Sequence, residues 1–241
     1  MMVAHHTMPD GRRIAYRHIA GAGPALVFLP GYMSDMDGGK ATALFGWAQE
    51  QGRECLLLDY SGCGRTAGLF ADGTLSRWTE EVLALIEAQV TNGVILIGSS
   101  MGGWLMLLAG EKLGDRLHGL VGIASAPDFT DWGRSDADKA RLEAGETVFD
   151  PNPYGPEPTP MHAAFWADGQ RRRRLDREIP IDCPVRLIHG FDDEDVPWEV
   201  SQRLVVALRS RDVHLTLVKG GGHRLSRDED IALLLRTLAS F

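Results

Sequence analysis

Five residues carry most of the chemistry legible in this sequence: Gly98-Ser99-Ser100-Met101-Gly102. The run before them, Val94-Ile95-Leu96-Ile97, is short, branched and apolar, as a fully buried strand is. The run after them, Gly103-Trp104-Leu105-Met106-Leu107-Leu108-Ala109, reads as a buried helix. A G-x-S-x-G between a buried strand and a helix is a nucleophile elbow, a turn so tight that only small neighbours fit. Gly98 and Gly102 lack the Cβ that would collide across it, and glycine reaches backbone angles closed to other residues. Such a turn lifts the Ser100 hydroxyl above the sheet and leaves helix N-terminal N–H groups free for an anion. Ser99, one position off the spacing, is expected to point away from the pocket.

A serine hydroxyl becomes a useful nucleophile when a general base takes its proton, and the base needs an orienting acid. With an elbow serine the partners follow in the chain order serine, acid, histidine, each in a loop at the carboxyl end of a strand. Both loops are present. Val185-Arg186-Leu187-Ile188 leads into His189-Gly190-Phe191-Asp192-Asp193-Glu194-Asp195-Val196-Pro197, and the last strand leads into Gly220-Gly221-Gly222-His223. Of the eight histidines, His223 alone follows the acidic loop in a loop directly behind a strand. His214 precedes that strand at its far end and is expected to be structural.

The elements that must hold these loops alternate along the chain. Pro9-Asp10-Gly11 turns a hairpin between His6-Thr7-Met8 and Arg13 to His18. Buried strands are expected at Ala25 to Leu29 and Cys55 to Asp59, and further strands at Leu117 to Ala124, Val185 to His189 and Leu215 to Val218. Helices are expected from Lys40 to Gln51, Leu75 to Val90 and Asp228 to Phe241. Strands alternating with helices imply a parallel sheet covered on both faces. The stretch from Pro127 to about Pro180 breaks the rhythm. It shows no clear strand, and Pro151 to Pro160 is too proline-rich for a helix or sheet interior. A structureless connection of that length is uncommon in a compact domain. The expectation is a single domain over 1–241 with an inserted lid at 127–180, helical around Asp136 to Gly145 and Pro160 to Asp168. The basic run Arg171 to Arg174 reads as a solvated face or as partners for lid carboxylates, with an anionic substrate as the alternative.

Composition narrows the partners. A net charge of −8 argues against a nucleic-acid partner, which would select a basic surface. No apolar run approaches the roughly 18 to 20 residues that span a bilayer, so membrane insertion is not expected. The opening MMVAHHTMPDGRR lacks an apolar signal core, and three scattered cysteines fit a reducing compartment, so a cytoplasmic location is expected.

H-G-x-x-D-x-x-V-P from His189 to Pro197, with the elbow at Ser100 and the final His223, resembles the α/β-hydrolase superfamily. That resemblance implies a mostly parallel sheet of about eight strands flanked by helices. It also maps the acid onto Asp193, with Asp192, Asp195 and Asp128 as alternatives, and makes His189 a structural residue that ties down its loop. By the same resemblance, the oxyanion hole draws on backbone N–H groups of Met101 and of Tyr32 in Pro30-Gly31-Tyr32. Pro30 to Ala41, Asp59 to Gly64, Asp72 to Trp78 and the GSSMGGW elbow are similar to one branch, that of α/β-hydrolase domain-containing protein 10. The activity implied is hydrolysis of carboxylic esters or thioesters, of a small molecule or an acylated protein, with no metal or organic cofactor. Carbon–carbon hydrolysis, acyl transfer and a low-turnover ligand-binding role are the alternatives that the fold supports. Phe129, Trp132, Phe165 and Trp166 are candidates for an apolar acyl pocket, or for packing of the lid.

Overall fold

The computed structural model describes residues 2–241. Strands β1 (Ala4–Thr7) and β2 (Arg13–Ile19) form the expected antiparallel hairpin, turned where Gly11 takes φ +88°. There follow β3 (Ala22–Leu29), α1 (Gly39–Glu50), β4 (Arg53–Leu58), α2 (Leu75–Gln89), β5 (Val94–Ser99), α3 (Met101–Leu113) and β6 (Leu117–Ile123). Next come α4 (Asp136–Glu143), β7 (Val148–Asp150), β8 (Thr159–Met161) and α5 (Ala163–Arg171). The chain closes with β9 (Val185–Gly190), α6 (Glu199–Ala207), β10 (Val213–Val218) and α7 (Asp228–Leu238).

Eight strands form one sheet in the order β1-β2-β4-β3-β5-β6-β9-β10, antiparallel at β1, β2 and β4 and parallel from β4 onward. Alternation along β3 shows how the sheet is covered. Ala25, Val27 and Leu29 face Trp78, Val82 and Leu85 of α2 and Trp104 and Leu105 of α3, whereas Leu26 and Phe28 face Leu44 and Phe45 of α1 and Leu234 and Leu238 of α7. Burial on both faces is why these strands read as unbroken apolar runs. All the parallel strands end at one edge, so the loops after β3, β5, β9 and β10 converge there. Among the described residues, no helix is long and apolar enough to cross a membrane.

Several expectations need correction. The 127–180 segment does contain strands: β7 and β8 pair antiparallel, with Pro160 opposite Phe149. A two-stranded ribbon has outward-facing positions where the missing proline N–H costs no ladder bond. Because β8 uses Pro160, α5 starts at Ala163 rather than Pro160. Strand β3 begins three residues early, with an irregularity between Ala22 and Leu26 that absorbs Gly23-Pro24. Helix α7 stops at Leu238, and β6 stops at Ile123 because Ala124 turns to φ +45°. His214 lies inside β10, exposed, with Asp212 at 3.5 Å.

The elbow is as crowded as its sequence implies. A Cβ on Gly98 would come within 2.4 Å of the Gly102 carbonyl oxygen, and one on Gly102 within 2.0 Å of the Leu29 carbonyl oxygen. Gly46, inside α1, has no heavy atom within 4 Å of such a Cβ. Gly102→Ala should therefore cost about 3 kcal/mol or more, and Gly46→Ala should stabilise by about 0.5–1 kcal/mol, as read from urea midpoints.

Candidate active site

The strain of the elbow falls on the serine, not on its glycines: Ser100 has φ +54° and ψ −120°. Its N–H donates to the Ile123 carbonyl at 2.9 Å, and its carbonyl accepts from Gly103 and Ala126 at 2.8 and 3.0 Å. Fixed on both sides, Ser100 presents its hydroxyl toward the loop after β10. There its Oγ lies 3.0 Å from His223 Nε2, and His223 Nδ1 lies 2.9 Å from Asp193 Oδ2. A proton on Nδ1, donated to the carboxylate, leaves Nε2 free to accept from the serine hydroxyl.

Asp193 is held from several directions. Its Oδ1 accepts backbone N–H bonds from Asp195 and Val196 at 3.0 and 2.9 Å. Fully buried His189 lies 3.2 Å from Oδ2 through Nε2, which also faces the Val196 carbonyl at 3.0 Å, while Nδ1 faces Ser201 Oγ at 2.7 Å. The carbonyl requires a donor, so Nε2 carries the proton and Nδ1 accepts from Ser201. Burial pushes the Asp193 carboxyl up, but hydrogen bonds from His189, His223 and Val196 and the His223 charge outweigh it and hold it well below the usual carboxylate range.

The alternative acids are engaged elsewhere. Asp128, buried at φ +66°, accepts the backbone N–H bonds of Arg174 and Leu175, both at 2.8 Å, where the segment returns to the sheet. Asp195 accepts from the Tyr154 hydroxyl, and Asp192 is exposed. Carboxylates of Asp193 and Asp195 and the His223 ring lie within 4.8 Å of one another. Those groups are satisfied by one another and by Tyr154, so a cation would have to displace protein hydrogen bonds.

Opposite the serine, Gly31 approaches so closely that a Cβ there would lie 3.3 Å from Ser100 Cβ. The N–H groups of Tyr32 and of Met101, the first residue of α3, are unbonded within the described residues. Asp59 hangs this loop: buried, it accepts from Met36 N–H at 2.7 Å and Arg65 N–H at 2.8 Å. Sequence reasoning missed the role of Asp59 because its partners are main-chain N–H groups, which leave no mark in residue type.

The Tyr32 ring packs against Phe70, Phe165 and Phe129 with centroids 4.9, 4.9 and 5.8 Å away, and its hydroxyl donates to the Pro160 carbonyl at 2.8 Å. Burial pushes that phenol above its ordinary range, keeping it a donor. Phe165 is 1% exposed and also touches Trp78, and Trp166 is 9% exposed, so both turn into the core. Phe129 and Trp132 are half-buried, packing beside Ala126, Val196 and Val200. The basic run is ion-paired: Arg171 and Arg172 with Asp168, Arg173 with Asp131 and Asp176, and Arg174 with Glu111. Asp168 also accepts from the Ser76 backbone N–H at 2.7 Å, and Trp104 donates to the Arg172 carbonyl at 3.1 Å.

With this geometry, the family model described as the alpha/beta hydrolase family matches residues 26–234. The chain belongs to that family. Human palmitoyl-protein thioesterase ABHD10, mitochondrial, is 34% identical over 95% of this chain and 76% of its own length. The crystal structure of a putative hydrolase from Agrobacterium vitis S4 superposes with a TM-score of 0.93 at 36% identity, covering 100% of this chain and 99% of that one. Mouse alpha/beta hydrolase domain-containing protein 10 gives 0.92 at 32% identity, covering 100% and 98%.

Two outcomes test the packing of this hydrolase. Phe165→Ala should lower stability by about 3–5 kcal/mol, as read by urea unfolding. Folding favours the ionised form of Asp193, so its contribution is complete above about pH 4 and is lost as pH falls toward the lower folded value. The gap in urea midpoint between wild type and Asp193→Asn should therefore narrow below about pH 4.

Proposed function

We propose that this hydrolase cleaves carboxylic esters or thioesters through an acyl-enzyme on Ser100, and the observation carrying this reading is the unbroken Ser100–His223–Asp193 chain. In this reading Ser100 Oγ attacks the acyl carbon while His223 Nε2 takes its proton. Asp193 holds the imidazole with its proton on Nδ1 and offsets the positive charge that the ring gains. The free N–H groups of Tyr32 and Met101 receive the oxyanion, a stabilisation typically worth several kcal/mol. As the intermediate collapses, His223 returns the proton to the departing alcohol or thiol. Water then enters, gives its proton to His223 and releases the acid.

The substrate class is carried over from the relatives. Identity of 34% with a protein named a palmitoyl-protein thioesterase supports an acyl thioester, and the same chemistry serves oxygen esters. We read the 127–180 segment as a lid on a single domain, anchored by Asp128, Asp168 and Trp104. Half-buried Phe129 and Trp132 are then the aromatics placed to line an acyl pocket, while Phe165 and Trp166 hold the lid down. Three free thiols fit a reducing compartment, which is compatible with the mitochondrial designation of the ABHD10 relatives.

A fluorophosphonate probe should label wild-type protein on Ser100, and a panel of p-nitrophenyl esters and acyl thioesters should then be hydrolysed. Ser100→Ala should abolish labelling and lower turnover at least about a thousandfold with an unchanged melting temperature. Ser99→Ala should stay within tenfold of wild type, on the order expected for a side chain outside the reaction. Residual Ser100→Ala activity near wild type would sink the assignment.

A further inference from the structure

His223 sits in the turn between β10 and α7, outside any helix or strand. Its loop is tied at one end by Gly221 N–H to the Val218 carbonyl at 3.0 Å and by Asp192 N–H to the Gly221 carbonyl at 2.9 Å. On the other side of the histidine, the anchor comes from far along the chain. The Lys40 ammonium donates to the carbonyl of Arg224, the residue next to His223. Lys40 is the second residue of α1, at the end of the loop that carries Tyr32.

A lysine here is electrostatically costly. The first turn of α1 contains no acidic residue, and a cation at a helix N-terminus faces the positive end of the helix dipole. Burial pushes the Lys40 amine down to about 8, the Arg224 charge acts in the same direction, and Asp230 opposes them. The remaining charged neighbours are committed to other partners. Asp230 is held by Arg227 at 2.8 Å, and Asp37, on the lysine's own loop, by Arg17 at 2.5 Å and Arg65 at 2.9 Å. The Arg224 guanidinium lies 4.5 Å from the Tyr154 ring centroid. What Lys40 gains in return is one charge-assisted bond to the main chain beside His223.

We propose that Lys40 is a positioning residue, whose ammonium clamps the Arg224 carbonyl and so fixes the His223 imidazole between Ser100 and Asp193. The inference rests on the reading of His223 as general base. It ties the histidine loop to the loop of Tyr32, so the base and the Tyr32 donor share one brace. A charge-assisted hydrogen bond is roughly twice as strong as a neutral one, so loss of the Lys40 proton loosens the clamp without touching the acyl site. Turnover then falls on the alkaline side, near the lowered Lys40 value of about 8, while KM is unchanged.

The test is kcat and KM against pH for wild type, K40M and K40R, with a fluorogenic acyl ester and the uncatalysed rate subtracted. Wild type should lose turnover above about pH 8. K40M should have kcat lowered about tenfold at neutral pH, KM within about twofold, and no further alkaline loss. K40R should lose the alkaline fall, because a guanidinium keeps its proton throughout. The idea is overturned if K40M matches wild type, or if the wild-type alkaline fall persists in K40R. Should K40M fail to fold, the shape of the K40R profile decides alone. An active Ser100→Ala would instead overturn the functional reading itself, whereas an inactive one beside an unaffected K40M would overturn the role of Lys40 only.

Discussion

Everything at the reactive edge of this hydrolase depends on how closely α3 is pressed against the end of β3. With 2.0 Å separating a notional Gly102 Cβ from the Leu29 carbonyl oxygen, the helix starts where no side chain fits. The chain can leave β5 and enter α3 only by passing through the φ +54° conformation of Ser100. Such a conformation costs on the order of 1–3 kcal/mol and persists only where its surroundings over-determine it. Here the surroundings are three main-chain bonds: those to Ile123 and Ala126 join the turn to β6 and its following loop, and that to Gly103 closes the first turn of α3. The strain that exposes the hydroxyl is therefore balanced by the sheet itself.

The loops around that turn are hung from buried carboxylates. Asp59 supports the loop of Tyr32, Asp128 the return of the 127–180 segment, and Glu81 accepts from the Ser61 backbone N–H at 2.9 Å. Burial leaves the carboxyls of Asp59 and Asp128 raised above their ordinary value, whereas at Asp193 the hydrogen bonds outweigh burial and the net shift is downward. The difference lies in the partners. Asp193 faces two imidazoles besides its backbone donors, whereas Asp59 and Asp128 have backbone N–H groups as their hydrogen-bond donors. Such a carboxylate fixes loop geometry because an N–H left unpaired beside it would be expensive.

What could be read from the sequence was local. Ser100 and His223 stand directly behind apolar runs, so their positions at strand ends followed from the pattern, and the structure brings their side chains together with Asp193. The parallel sheet was legible for the same reason, since strands buried on both faces leave uninterrupted branched residues. The ribbon of β7 and β8 was not legible: each strand has three residues, one of them Pro160, with no alternation to detect. Asp59, Lys40 and the inward turn of Phe165 were equally hidden. Lys40 and Phe165 act through partners far along the chain and Asp59 through main-chain N–H groups, and a single sequence records nothing of such pairings.

Tyr32 joins two parts of the molecule through opposite ends of one residue. Its main chain follows Gly31, which borders Ser100, while its phenol ends on the Pro160 carbonyl of the ribbon. This bond restricts which segments could take the place of the ribbon. A graft in place of residues 127–180 would have to bring an acceptor to the same height above the sheet. Without one, a buried hydroxyl would be left without an acceptor, and the loop carrying it would lose that anchor. Exchange of the ribbon is thus constrained from within the site, through one main-chain acceptor held at the Tyr32 hydroxyl.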